Sequence, residues 1–139
     1  MTAPRFARGA ELPPDAVLTL PALLERNARQ SPNTIALRHK QLGRWVEYSW
    51  SEYAEQAARV GLGLRTLGVA AGDRIAILGD NRPEWVWSDI GAQGIGAVVV
   101  GVYATSPAVE VQYVLEHSGC TVAVVEDEEI GRASCRERV

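Results

Sequence analysis

The residues best placed to do chemistry in this 139-residue chain fall in two short segments. They are Asp80-Asn81-Arg82-Pro83-Glu84-Trp85 and Tyr103-Ala104-Thr105-Ser106-Pro107. Neither holds a metal-ligand set or a nucleophile beside a base, so the chemistry they suggest is ligand contact. Each segment follows an apolar run that reads as a β-strand, which puts both at the carboxyl ends of strands. Open parallel sheets bind ligands in the crevice along that edge. Both segments also have a purely structural reading. Asn81 and Ser106 are suited to cap helices, and Pro83 and Pro107 to sit in first helical turns.

The other reactive side chains carry less. His39 lies on a predicted strand with no acid or cysteine at ligand spacing. His117 lies in the last turn of a predicted helix, where a partly positive imidazole suits the helix dipole. Cys120 opens an apolar strand and reads as a small hydrophobe. Gly91-x-x-Gly94-x-Gly96 invites a dinucleotide-binding reading, but its order is wrong. That fingerprint follows a strand and opens a helix; here it closes a helix and precedes a strand. Packing plus a helix stop explains it, and Gly61-x-Gly63, inside a helix, is likewise structural. No glycine-rich phosphate loop with a following Lys-Ser or Lys-Thr is present.

The elements that position these segments follow from periodicity. Arg74-Ile75-Ala76-Ile77-Leu78, Ala97-Val98-Val99-Val100-Gly101-Val102 and Thr121-Val122-Ala123-Val124-Val125 are short apolar runs. Strands buried on both faces look like this, and intervening helices make them parallel. The first helix between them carries Val86, Trp87, Ile90, Gly91 and Gly94 on one face, its glycines letting helix and sheet approach. The second, residues 107–118, packs through Val111, Val114 and Leu115, and Gly119 ends it. Upstream, residues 18–30 form a helix capped by Thr19, with Pro21 in its first turn and Leu20, Leu23, Leu24 and Ala28 on one face. Residues 34–39 and 44–48 form a hairpin around 40–43. Ser49-Trp50-Ser51-Glu52 is a capping box. The helix it starts presents Tyr53, Ala57, Val60, Gly61, Leu64 and Leu67, and Gly68 stops it. The fold class is α/β: helix and β-hairpin, then a parallel βαβαβ block.

Composition bounds the rest. The 47% apolar and 22% charged fractions are those of a globular domain. A net charge of −3 gives no footprint for nucleic acid. No apolar run reaches the roughly 18 residues of a membrane span. Two cysteines make no disulfide framework, so the cytoplasm is the expected location. Lys40 is the sole lysine among 14 basic residues, the usage of a GC-rich bacterial gene. Residues 1–17 are an aperiodic Pro- and Ala-rich arm. From Glu126 the character changes to an acidic run, and residues 129–139 are also the translation of a common sequencing-adapter oligonucleotide. Residues 130–139 are therefore expected to be non-native, and residues 18–129 to be the beginning of a longer domain.

Three blocks carry a family resemblance: Gly72-Asp73-Arg74-Ile75-Ala76-Ile77-Leu78, Asn81-Arg82-Pro83-Glu84-Trp85, and residues 96–106. In order and spacing they resemble the start of AMP-forming long-chain acyl-CoA synthetases, in the adenylate-forming superfamily. Thr19-Leu20-Pro21, and Gly43-Arg44-Trp45 running into Tyr48-Ser49-Trp50-Ser51-Glu52-Tyr53, are similar to the long-chain branch. The resemblance implies activation of a fatty acid by ATP and Mg2+ to acyl-AMP, then transfer to CoA. Fatty acid, ATP and CoA are the implied partners; peripheral membrane contact and oligomeric state stay open. It also implies that the phosphate loop, the adenine and magnesium residues and the catalytic lysine lie downstream. No catalytic residue is expected here, and the chain by itself is expected to be inactive. In the family the loop after the second strand lies near the CoA entrance, so Tyr103, Thr105 and Ser106 are the implied CoA-proximal residues. Ala104 departs from the family's usual proline. An aryl-CoA ligase or peptide-synthetase adenylation domain, and a small flavodoxin-like binding module, are the alternatives.

Overall fold

The computed structural model describes residues 19–126. The arm at 1–17 and the tail at 130–139 lie outside them. The order is α1 (Leu20–Gln30), β1 (Ile35–Gln41), β2 (Arg44–Ser49), α2 (Trp50–Thr66), β3 (Arg74–Leu78), α3 (Pro83–Gly94), β4 (Val98–Val102), α4 (Ala108–Ser118) and β5 (Val122–Val125). This is the α/β arrangement expected from periodicity.

The parallel sheet has the order β4-β3-β5, so the first strand of the block lies in the middle. Ile75 and Ile77 point to one face, where Leu64 of α2 and Ala92 of α3 pack. Ala76 and Leu78 point to the other, where Val111 of α4 packs. Helices thus cover both faces, as successive right-handed crossovers in opposite directions require. Among the described strands only β3 is buried on both faces; its residues 75–78 are at most 2% exposed. The other two runs, expected to be equally buried, are half-exposed, and Val98 is 52% exposed. Each has one strand neighbour among the described residues.

Upstream, α1 begins at Leu20, capped by Thr19 with Pro21 in its first turn. Leu24 is buried against α2 and α3, but Leu20, the first residue of the helix, is exposed rather than on the packed face. The capping box forms. Ser49 Oγ accepts from Glu52 N–H at 3.3 Å, and Glu52 Oε2 accepts from Ser49 N–H at 2.8 Å. The backbone bond, then the Ser49 hydroxyl, holds the Glu52 carboxyl below its ordinary range. Leu67 is exposed instead of completing the α2 face. Gly68 turns the chain left-handed at φ +90, and Val69 takes that place, donating its N–H to Leu64 O at 3.1 Å.

The glycines of α3 act differently from the expectation. Gly91 meets α2, not the sheet. A Cβ on Gly91 would lie 2.4 Å from Ala57 O, and one on Gly61 would lie 2.8 Å from Gly91 O. Gly94 is exposed with open space around it. The two helices cross backbone to backbone at Gly61 and Gly91, and Gly96 stops α3 at φ +83.

Tyr53 is buried beneath this crossing. Its phenol is pushed from 10.0 up to about 12, first by burial and then by the Asp89 carboxylate. Below pH 10 both folded and unfolded chains keep the proton. Above it the unfolded chain ionises first, so stability falls until the folded pKa is passed. Tyr53→Phe is expected to flatten this part of the alkaline slope in urea titrations across roughly pH 9 to 12. An unchanged slope would assign the loss to other groups.

Candidate functional site

Both polar segments lie at the carboxyl edge of the parallel sheet. β3 runs through Gly79-Asp80-Asn81-Arg82 into α3 on one face. β4 runs through Tyr103-Ala104-Thr105-Ser106-Pro107 into α4 on the other. Chains that diverge from neighbouring parallel strands open a crevice between them. Among the described residues two clefts lie there.

The first, of about 330 Å3, sits between the ends of β3 and β5 and is lined by Leu78, Asp80, Arg82, Trp85, Ser88 and Glu126 among others. Glu126 organises it. Its backbone N–H donates to Leu78 O at 3.0 Å, extending the β3–β5 pairing by one bond. Oε2 accepts from Asp80 N–H at 2.8 Å, and Oε1 accepts from Arg82 Nε at 2.7 Å. One carboxylate therefore ties the β3–α3 loop to the end of β5. Gly79 leaves room for it, since a Cβ there would lie 3.2 Å from Glu126 Cβ. The Ser88 hydroxyl donates to Glu84 O at 2.7 Å.

The second cleft, about 260 Å3, lies between the ends of β3 and β4, lined by Gly79, Asn81, Trp85, Gly101, Val102 and Tyr103. Trp85 walls both clefts. Its ring carbon would be 3.4 Å from a Cβ on Gly101, so the absent side chain lets the indole lie over β4. Tyr103 is 82% exposed at the rim. Tyr103, Thr105 and Ser106 share one turn, closed by Ser106 N–H donating to Tyr103 O at 3.0 Å. The turn forms with Ala104 where the family usually has proline. Thr105 is exposed and Ser106 half-buried, and of the three only Tyr103 lines the cleft.

Neither expected cap forms. The N-cap of α3 is Arg82, because Pro83 at the first helical position fixes the residue before it as the cap. The N-cap of α4 is Pro107 itself, one residue past Ser106 and outside the helix proper. Asn81 and Ser106 make no capping hydrogen bond, which leaves the Asn81 amide at the rim of the second cleft.

Sequence reasoning places Trp85 in the first of the two ligand segments but misses Glu126 and Gly101. In the sequence Glu126 reads as the first residue of an acidic run. A carboxylate immediately after an apolar strand is a signal for this edge, and glycine within a strand is one for close approach. His39 and His117 stay apart from the clefts. His117 stacks on Tyr113 at 5.4 Å in the last turn of α4. Cys120 is half-buried against the α4 cluster, its Sγ 3.0 Å from Ser118 Oγ. Among the described residues no group of three or more His, Cys, Asp or Glu could hold a metal ion. Nor is any helix among them long and apolar enough to cross a membrane.

A doubly wound parallel sheet with polar loops opening at its carboxyl edge defines the nucleotide- and coenzyme-binding class of α/β proteins. The chain belongs to the AMP-binding enzyme family, whose profile matches residues 24–139. It is 36% identical over 114 residues to the uncharacterized protein Rv1549 of Mycobacterium tuberculosis, covering 82% of this chain and 64% of that one. It is 35% identical over 105 residues to the long-chain-fatty-acid–CoA ligase FadD15 of Mycobacterium bovis, covering 76% of this chain and 18% of the ligase. Its fold matches the N-terminal domain of FACL13 from Mycobacterium tuberculosis with a TM-score of 0.77 at 27% identity, covering 86% of this chain and 30% of that structure. The chain thus spans under two-thirds of these relatives.

Proposed function

We propose that these residues form the start of the large domain of a cytoplasmic, AMP-forming long-chain fatty acid–CoA ligase. The observation that carries the reading is the likeness to FadD15, which extends over 76% of the chain and so embraces more than one motif. In the proposed reaction a fatty acid carboxylate attacks the α-phosphate of ATP, forming acyl-AMP and releasing pyrophosphate. The CoA thiolate then displaces AMP. A carboxylate is a poor acylating agent, and the adenylate supplies its leaving group.

The described residues do not fit ATP and Mg2+. They contain no cluster of acids for the metal, and the Arg82 guanidinium is already tied to Glu126. They suit a neutral, extended ligand better. Tyr103, Asn81 and Trp85, which carry a hydroxyl, an amide and an indole, line one cleft beside the Thr105–Ser106 turn. Such groups match the amides and methylenes of a pantetheine arm, and we assign Tyr103, Thr105 and Ser106 to the CoA side of the site.

A gene product that contains these residues and extends them tests this. Pyrophosphate release that depends on palmitate and ATP, followed by CoA-dependent release of AMP, is the expected result. The 139-residue chain alone is expected to release none. Activation of an aromatic or amino acid in place of palmitate would move the chain to the aryl-CoA ligase or peptide-synthetase branch. No release with any acid would overturn the reading.

A further inference from the structure

The tip of the β1–β2 hairpin takes no part in either cleft, and its residues are unlike those of an inert turn. The two-residue turn is Leu42-Gly43, with φ +48 and +80. Positive φ at both positions is the type I′ geometry, for which Asn-Gly is the favoured pair. Leucine bears the full steric penalty of the left-handed region. Yet Leu42 is 99% exposed, so it makes no packing contact that offsets the strain. Stability of the fold does not explain a leucine here.

Its surroundings point to what does. Trp45 is 65% exposed and pairs directly across the strands with Lys40, so both lie on one face of the hairpin. Residues 38–45 hold Arg38, Lys40 and Arg44 and no carboxylate, in a chain whose net charge is −3. Arg38 is paired with Glu47 at 2.8 Å. Lys40 and Arg44 form no salt bridge among the described residues.

We propose that this hairpin tip docks on an anionic lipid bilayer. Leu42 enters the acyl boundary, Trp45 sits at headgroup level, and Lys40 and Arg44 meet lipid phosphates. Each group suits its depth: indoles favour the interface, and basic side chains are drawn to an anionic leaflet. A bare aliphatic apex has no use against a nucleic-acid backbone or a free phosphate ion, which is why the surface is assigned to lipid. The remaining surface is net acidic, so an anionic membrane repels it and the hairpin sets the orientation. The contact holds whatever ligand the sheet edge binds.

Flotation of the full chain with vesicles tests this, because aggregates sink while vesicle-bound protein rises. Binding is expected on phosphatidylglycerol–phosphatidylcholine vesicles, with loss on pure phosphatidylcholine or at high salt. Lys40→Gln with Arg44→Gln is expected to lower partition roughly thirtyfold, about fivefold per charge. Leu42→Asn is expected to lower it about tenfold while raising the urea midpoint, since asparagine tolerates the turn. These opposite signs separate membrane contact from unfolding. Equal binding to neutral vesicles, or partition unmoved by these variants, would overturn the proposal. So would retention on an oligonucleotide with no vesicle binding.

Discussion

Gly91→Ala is expected to destabilise the chain by about 3 kcal/mol or more, in the range of severe overpacking. Helix propensity alone predicts the reverse, because alanine in place of a helical glycine gains about 1 kcal/mol. The geometry decides. The new Cβ would lie 2.4 Å from Ala57 O and 3.0 Å from Gly61 N. Both are backbone atoms of α2, so no rotamer change relieves the clash. The helices must part, and the buried cluster of Leu24, Tyr53, Ala57 and Ile90 beside the crossing loosens with them. Gly63→Ala is the control. It lies in the same helix α2, exposed, with nothing within 4 Å of its absent Cβ. There the propensity gain is unopposed, and stability should rise by up to about 1 kcal/mol. Urea unfolding followed by tryptophan fluorescence reads both. Equal effects at 63 and 91 would mean that the helices do not cross at Gly91.

This crossing marks the boundary of what the sequence made legible. The capping box at Ser49 and Glu52, the β3 strand at Arg74–Leu78 and the stop at Gly68 were readable because each is written in adjacent residues. Local periods and caps need no knowledge of the rest of the chain. The glycines of α2 and α3 were recognised as structural, but the partner of Gly91 was not, since two helices packed on one sheet face can each meet the strands or each other. Burial of β4 and β5 was overestimated for a related reason. An apolar run reports that a strand can be buried, while its place in the sheet order decides how far. At the ligand edge, the segments around Asn81 and Tyr103 were located correctly at strand ends. Their capping roles were not, because Pro83 and Pro107 shift each helix start by a residue. The hairpin turn expected over residues 40–43 is the shorter Leu42-Gly43, as no common turn signal puts leucine at positive φ.

Glu126 is the residue where the missing knowledge bears most on the site, and its removal is the second large effect. Glu126→Ala is expected to destabilise the chain by about 2 kcal/mol, most of it from the lost hydrogen bond between Asp80 N–H and a charged acceptor. The ion pair with Arg82 adds less than 1 kcal/mol, because the guanidinium is half-exposed and screened. Glu126→Gln keeps one acceptor for Asp80 N–H and should lose about half as much. A double-mutant cycle with Arg82→Ala isolates the ion pair, with a coupling of about 0.5 kcal/mol expected. The distinctive readout is local. Amide exchange at Asp80 should quicken in Glu126→Ala, while exchange in the β1–β2 hairpin, which shares no contact with Glu126, stays at its original rate relative to global unfolding. If Asp80 exchange and stability both stay unchanged, the carboxylate does not hold the loop. If they shift together, the shape of the first cleft is set by the residue that follows β5, and the beginning of the acidic run is part of the fold rather than an appendage to it.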